Sequence, residues 1–203
     1  MAEALALLDT FQPVMVAARG HEATIHFALE DSTGDSAIIE FAGGEPIVHH
    51  GSQFEIMTND PTYDEQLALL AQQDFSNPSC DMPLPGNVNA VDRFQRAAYY
   101  TALLPDPADV QQAVAGVMAI MRNVSVPFGA PYAEFGVYNT EYRTVVDLTG
   151  KQYFFELSTS PNVIWVEFAG LDLSASEPLQ INPYDPTLVG DVTARFAPQA
   201  VPF

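Results

Sequence analysis

Apolar residues alternate with a period of two on both sides of a central block whose apolar period is near 3.6. This order of strands, helices and strands, with no internal repeat, excludes regular βαβ alternation and specifies an α+β layered domain. The opening residues through Asp9 suit a short helix with Leu5 and Leu8 on one face, ended by Pro13, and Arg19-Gly20 begins a turn. Ala23, Ile25, Phe27 and Leu29 then alternate with Thr24, His26 and Ala28, which is strand patterning. A turn over Asp31–Asp35 leads to a strand over Ser36–Phe41. After Gly43-Gly44, the stretches Ile47–His49 and Phe54–Thr58 read as further strands of an antiparallel meander.

Thr62 and Glu65 have capping-box spacing, and Tyr63, Leu67 and Leu70 form a helical stripe behind them. A polar, proline-rich loop over Asp74–Asn87 precedes a second helix, capped by Asn89, with Val91, Phe94, Ala98 and Ala102 inward. A third helix spans about Pro107–Arg122, with Val110, Val114, Val117 and Met121 facing the core. Strands return at Tyr142–Leu148, Tyr153–Leu157 and Val163–Phe168. Phe154-Phe155 and Ile164-Trp165-Val166 carry apolar side chains on both faces, so this sheet must be covered on both sides. We expect one domain over residues 1–203, with an irregular, proline-rich surface tail over residues 174–203.

Charge narrows the function classes. The chain has 26 acidic residues against 7 Lys and Arg, for a formal net charge of -19. Such a surface repels phosphates, so neither nucleic acid nor an anionic membrane is an expected partner. No apolar stretch is long enough for a transmembrane helix, and the start lacks the basic and apolar regions of a signal peptide. The compartment stays open. The single cysteine, Cys80, lies in a loop beside Asp81, which disfavours a thiolate, so it reads as an ordinary loop thiol. His49 and His50 are neighbours in a strand and point to opposite faces, against joint metal ligation. No G-x-S-x-G elbow, P-loop or dinucleotide-binding glycine motif occurs.

Two features stand out. Thr58-Asn59-Asp60-Pro61 ends a strand, and Pro61 favours an extended Asp60. Asn59 at that strand tip is suited to donate to an oxyanion; from the residues alone, an Asn-Asp turn before a helix is the better reading. Arg93 lies in the first turn of its helix, where the macrodipole disfavours a cation by about 0.3–1 kcal/mol. Arg96 has an i,i+4 partner in Asp92, whereas Arg93 has no such local partner, which suggests a tertiary role. A salt bridge to one of the many carboxylates remains the other reading of Arg93.

Several segments taken in order are similar to the choloylglycine hydrolase family, above all its penicillin V acylase branch. The first runs from Asp35-Ser36-Ala37-Ile38-Ile39-Glu40-Phe41 through His49-His50 to Met57-Thr58-Asn59-Asp60-Pro61-Thr62-Tyr63-Asp64-Glu65-Gln66-Leu67. Leu84-Pro85-Gly86-Asn87 with Asp92-Arg93-Phe94 is the second, and Tyr142–Leu148 with Tyr153-Phe154-Phe155 is the third. The matching blocks run from about Ala23 to Leu173. The resemblance implies an N-terminal-nucleophile fold: an αββα sandwich, here incomplete, of mainly antiparallel sheets flanked by helices. It implies hydrolysis of a linear amide C–N bond in a small N-acyl amide, in the manner of penicillin V acylase or bile salt hydrolase, without a metal or organic cofactor. Asn59 matches the family's catalytic oxyanion-hole asparagine, and Arg93 its active-site arginine.

In that family the nucleophile is an N-terminal Cys exposed by processing, carried on a segment that precedes the position of Ala23. Here Met1 stands near a helix that resembles the family's mid-chain region. We therefore expect this chain alone not to catalyse the reaction, and we expect exposed sheet edges that favour a homo-oligomer. The competing class is a non-catalytic pseudoenzyme or binding module that keeps part of the fold.

Overall fold

The computed structural model describes residues 1–14, 25–131, 136–174 and 176–200. The expected turn at Arg19-Gly20, His21 and the start of the first strand at Ala23-Thr24 lie outside the described residues. The described chain groups into two compact units, residues 1–84 with 90–95 and residues 85–89 with 96–203.

The first unit opens with α1 (Ala2–Ala6), extended by a 3-10 turn over Leu7–Thr10. A three-stranded antiparallel meander follows: β1 (His26–Glu30), β2 (Ser36–Ala42) and β3 (Glu45–His50). In its register Ile39 lies between Phe27 and Val48, and Ile38 between Ala28 and His49. The β1–β2 turn is closed by Asp31, which accepts hydrogen bonds from the Thr33 amide and hydroxyl. Those bonds, the Thr33 hydroxyl first, hold the Asp31 carboxyl well below the ordinary carboxylate range. Gly34 supplies the positive φ of 81° that the turn requires.

Helix α2 (Tyr63–Leu70) begins as its sequence specifies, with the Glu65 carboxylate accepting from the Thr62 amide and hydroxyl. A second carboxylate, Glu40 from β2, accepts from the Tyr63 amide at 2.9 Å and so satisfies another of the orphan donors at the helix start. The core of this unit is Ile38 and Phe94, each 1% exposed, with Tyr63. Phe54, Ile56, Met57, Leu67 and Leu70 pack around them.

The expected strand over Phe54–Thr58 does not form. Ile56 and Met57 are adjacent yet both pack on the core, which a strand with alternating side chains cannot achieve. The segment is instead anchored by the Ser36 hydroxyl, which donates to the Phe54 carbonyl at 2.8 Å.

Helix α3 (Ala90–Ala102) contributes Ala90–Gln95 to the first unit and the remainder to the second. Its buried residues are Ala90, Phe94, Gln95, Arg96, Ala97 and Tyr99. Of the expected stripe, Phe94 is buried, Val91 and Ala98 are half-buried, and Ala102 is exposed.

In the second unit, α4 (Val110–Asn123) is capped by Asp109, whose side chain accepts from the Gln112 amide at 2.8 Å. Its inward face is Val114, Met118 and Met121, at i, i+4 and i+7, whereas Val110 and Val117 are 47% and 41% exposed. The expected line shares Val114 and Met121 with this one and departs from it at Val110 and Val117. Both lines are apolar, and only the sheet beneath decides between them.

That sheet joins β4 (Tyr142–Asp147), β5 (Gln152–Leu157) and β6 (Val163–Glu167) as an antiparallel meander. The proline-rich stretch beyond contains a two-stranded pair, β7 (Leu179–Gln180) with β9 (Ala197–Pro198), and β8 (Gly190–Asp191), which adds to β6 in parallel. It also carries Leu188 and Val192, both 3% exposed, into a core with Ile164, Phe155, Ile181 and Phe196.

Candidate active site

The two residues singled out by sequence meet in the first unit. Arg93 donates from Nη2 to Asn59 Oδ1 at 3.0 Å, across 34 residues of chain. Arg93 is the fourth residue of α3, within its first turn, and is half-buried; Asn59 is exposed. A guanidinium has only donors, so the carboxamide must turn its oxygen toward Arg93 and its Nδ2 donor the other way. The contact thereby commits one end of the Asn59 carboxamide to Arg93 and leaves the other as the donor. It also gives a cation at an unfavourable helix position a tertiary partner.

Asn59 is not at a strand tip, since Phe54–Thr58 is unpaired chain; it is held from elsewhere. The buried Gln66 of α2 donates from Nε2 to the Asn59 carbonyl at 3.1 Å and to Thr58 Oγ1 at 3.3 Å. Thr58 Oγ1 in turn donates to the carbonyl of Ala90, the residue that opens α3, at 3.1 Å. The Asp60–Pro61 peptide that follows is cis. Sequence reasoning missed Gln66. The available signal was a polar residue at the i+3 position of the Tyr63, Leu67, Leu70 stripe, where an apolar one is expected.

Arg96 has tertiary partners that its sequence position did not reveal. Beyond the local pairing with Asp92 expected for it, Arg96 is buried; its Nη1 donates to the Pro85 and Asn87 carbonyls at 2.7 and 2.9 Å, and its Nε to Asn123 Oδ1 at 3.2 Å. The two arginines of this helix thus divide between holding a loop and meeting Asn59.

The remaining candidates fall away from this site. His49 and His50 do face opposite ways. His49 packs tilted against Tyr63 and edge-on to Phe54 at ring distances of 4.8 and 5.5 Å, and its Nε2 lies 3.8 Å from Asp64, too far for a hydrogen bond. His50 contacts Asp35 at 3.0 Å. Cys80 is exposed in its loop. Burial pushes the Tyr63 phenol above its ordinary value, with Glu40 and Glu55 adding to the shift.

A family model for the linear amide C–N hydrolases of the choloylglycine hydrolase family matches residues 1–181. The chain belongs to the choloylglycine hydrolase family. Within this family it is 37% identical over 199 residues to the penicillin V acylase of Pectobacterium atrosepticum, an alignment covering 89% of the chain and 52% of that acylase. The structure of a penicillin V acylase from Agrobacterium tumefaciens superposes with a TM-score of 0.79 at 32% identity, covering 98% of this chain and 62% of that one. The conjugated bile acid hydrolase of Clostridium perfringens shares the fold with a TM-score of 0.73 at 19% identity, covering 92% of this chain and 63% of that one. The α+β architecture is accordingly that of the N-terminal-nucleophile hydrolases, with mainly antiparallel sheets flanked by helices. The chain spans about half the length of the Pectobacterium acylase. Among the described residues, no helix is long and apolar enough to cross a membrane.

Proposed function

We propose that this choloylglycine hydrolase family chain contributes the oxyanion donor and the active-site arginine of an enzyme that hydrolyses linear amides, with penicillin V or a related N-acyl amide as substrate. The observation that carries the reading is the 3.0 Å hydrogen bond from Arg93 to Asn59 Oδ1. In the proposed reaction a cysteine thiolate at a chain N-terminus attacks the amide carbonyl, and its own α-amino group takes the thiol proton. Negative charge builds on the carbonyl oxygen, and Asn59 Nδ2 donates to it. The Arg93 guanidinium stabilises the thiolate before attack, while its hydrogen bond to Oδ1 keeps the Asn59 Nδ2 donor turned away from Arg93. Collapse of the tetrahedral intermediate, with the proton passed from the α-ammonium to the leaving nitrogen, expels the amine and leaves a thioester, which water then hydrolyses to the acid and the free thiol.

The exposed loop position of Cys80 and its acidic neighbour make it unsuited to that nucleophile role. The reading therefore includes inactivity of this chain by itself. The purified chain should release no amine from penicillin V, and should gain turnover when joined to a family segment that begins with cysteine. Turnover by the chain alone would overturn the assignment of the nucleophile. In the joined enzyme, Asn59→Ala should lower kcat by about 10²–10³, as loss of one oxyanion donor does elsewhere. A fall of less than about tenfold would remove Asn59 from the oxyanion role.

A further inference from the structure

We propose that Gln66 is the positioning residue that aims the Asn59 carboxamide, with the Thr58 hydroxyl as its relay; this rests on the reading of Asn59 as the oxyanion donor. Gln66 is 2% exposed and lies on the core-facing side of α2 beside Tyr63 and Leu67. Its Oε1 is buried with no hydrogen-bond partner among the described residues. An apolar side chain of similar volume would avoid that unsatisfied acceptor, so packing does not explain a glutamine here. What the position uses is the other end of the amide, with one Nε2 donor on the Asn59 carbonyl and one on Thr58 Oγ1.

These bonds close a ring. Gln66 holds the main chain of Asn59 and the hydroxyl of Thr58. The Thr58 hydroxyl donates a hydrogen bond to the Ala90 carbonyl, and Ala90 opens the helical turn that carries Arg93. Arg93 then returns to the Asn59 side chain. Asn59 is thus gripped at two points, its carbonyl oxygen and its Oδ1, and two fixed points on one residue define the direction of the third group, Nδ2. Without Gln66 the main-chain grip is gone and, among the described residues, the partly exposed arginine contact remains. Precise aim matters because an oxyanion donor acts only when preorganised toward the charge that develops.

The test is nuclear magnetic resonance of the ¹⁵N-labelled chain, following side-chain amides. In the unaltered protein the Gln66 amide protons should exchange far more slowly than those of the exposed Gln111. In Gln66→Met, ¹⁵N relaxation of the Asn59 side-chain amide should report a more mobile carboxamide, because the bond that anchors its main-chain carbonyl is lost. Its ¹⁵N shift should move toward that of a solvated asparagine, while Asn162, whose amide donates to the Leu188 carbonyl, stays unchanged. Thr58→Val should act in the same direction with a smaller effect.

Gln66 protons that exchange as fast as those of Gln111, or an Asn59 spectrum unchanged in both variants, would overturn the proposal. If Gln66→Met does not fold, the exchange rate in the unaltered chain and Thr58→Val decide the matter. In the enzyme joined to its nucleophile segment, Gln66→Met should lower kcat while KM holds. If Gln66→Met loosens Asn59 but Asn59→Ala leaves kcat intact, the positioning stands and the oxyanion reading fails.

Discussion

Each unit of this chain carries an arginine-centred polar network, and the two are built for different ends. In the second unit, Glu156 of β5 is a buried carboxylate that accepts from Arg122 Nη2 at 2.6 Å and from Arg143 Nη1 at 2.7 Å. Arg143 Nε continues to Ser125 Oγ, which donates to the Met121 carbonyl, both at 2.7 Å. Burial alone would raise the Glu156 carboxyl, but the hydrogen bonds and charges of Arg122 and Arg143 outweigh it and hold the group below its ordinary value. This network neutralises charge and ties α4 to β4 and β5. In the first unit the acceptor for Arg93 is a neutral carboxamide, which orients rather than neutralises. A carboxylate presents equivalent oxygens to its partner. A carboxamide has one acceptor end and one donor end, so binding the first aims the second.

The contrast can be broken in order of expected effect. Phe94→Ala removes the residue at the centre of the first core and should destabilise by about 3–5 kcal/mol. In urea unfolding it should also loosen the Arg93–Asn59 contact at sub-denaturing concentrations. A variant that kept that contact through the same range would show that the core does not support the site. Glu156→Gln leaves Arg143 buried without its carboxylate and should cost about 2–3 kcal/mol, less than a fully buried pair because Arg122 is half-exposed.

The same carboxylate sets a pH dependence. Its folded value lies below the ordinary 4.5, so its contribution to stability is complete above that value and is lost as pH falls through the folded value. Acid unfolding should therefore show a stability loss below about pH 4.5 that is reduced in Glu156→Gln, and equal losses in the two proteins would contradict the network. Thr58→Val is the mildest change, about 1 kcal/mol, and should affect the side-chain dynamics of Asn59 more than global stability.

Much of this was legible because it is local. The meander strands, the Thr62–Glu65 cap of α2, the start of α3 after Asn89 and the hairpin of β4 and β5 follow from periodicity, turn residues and capping chemistry. Arg93 was visible as a cation in the wrong place on a helix, and Asn59 as a polar residue before Asp60-Pro61.

Tertiary structure alone decided the rest, because the choice lay between partners that local pattern cannot rank. It left Phe54–Thr58 unpaired, since neighbouring Ile56 and Met57 are both drawn to the core. It turned α4 so that Met118, and not Val117, is buried, and it drew Arg96 inside to hold the Pro85 and Asn87 carbonyls. It also gave Gln66 a purpose. A hydrogen bond across a long stretch of sequence leaves no periodic trace, and its ends become neighbours only when hydrophobic burial has brought the chain together.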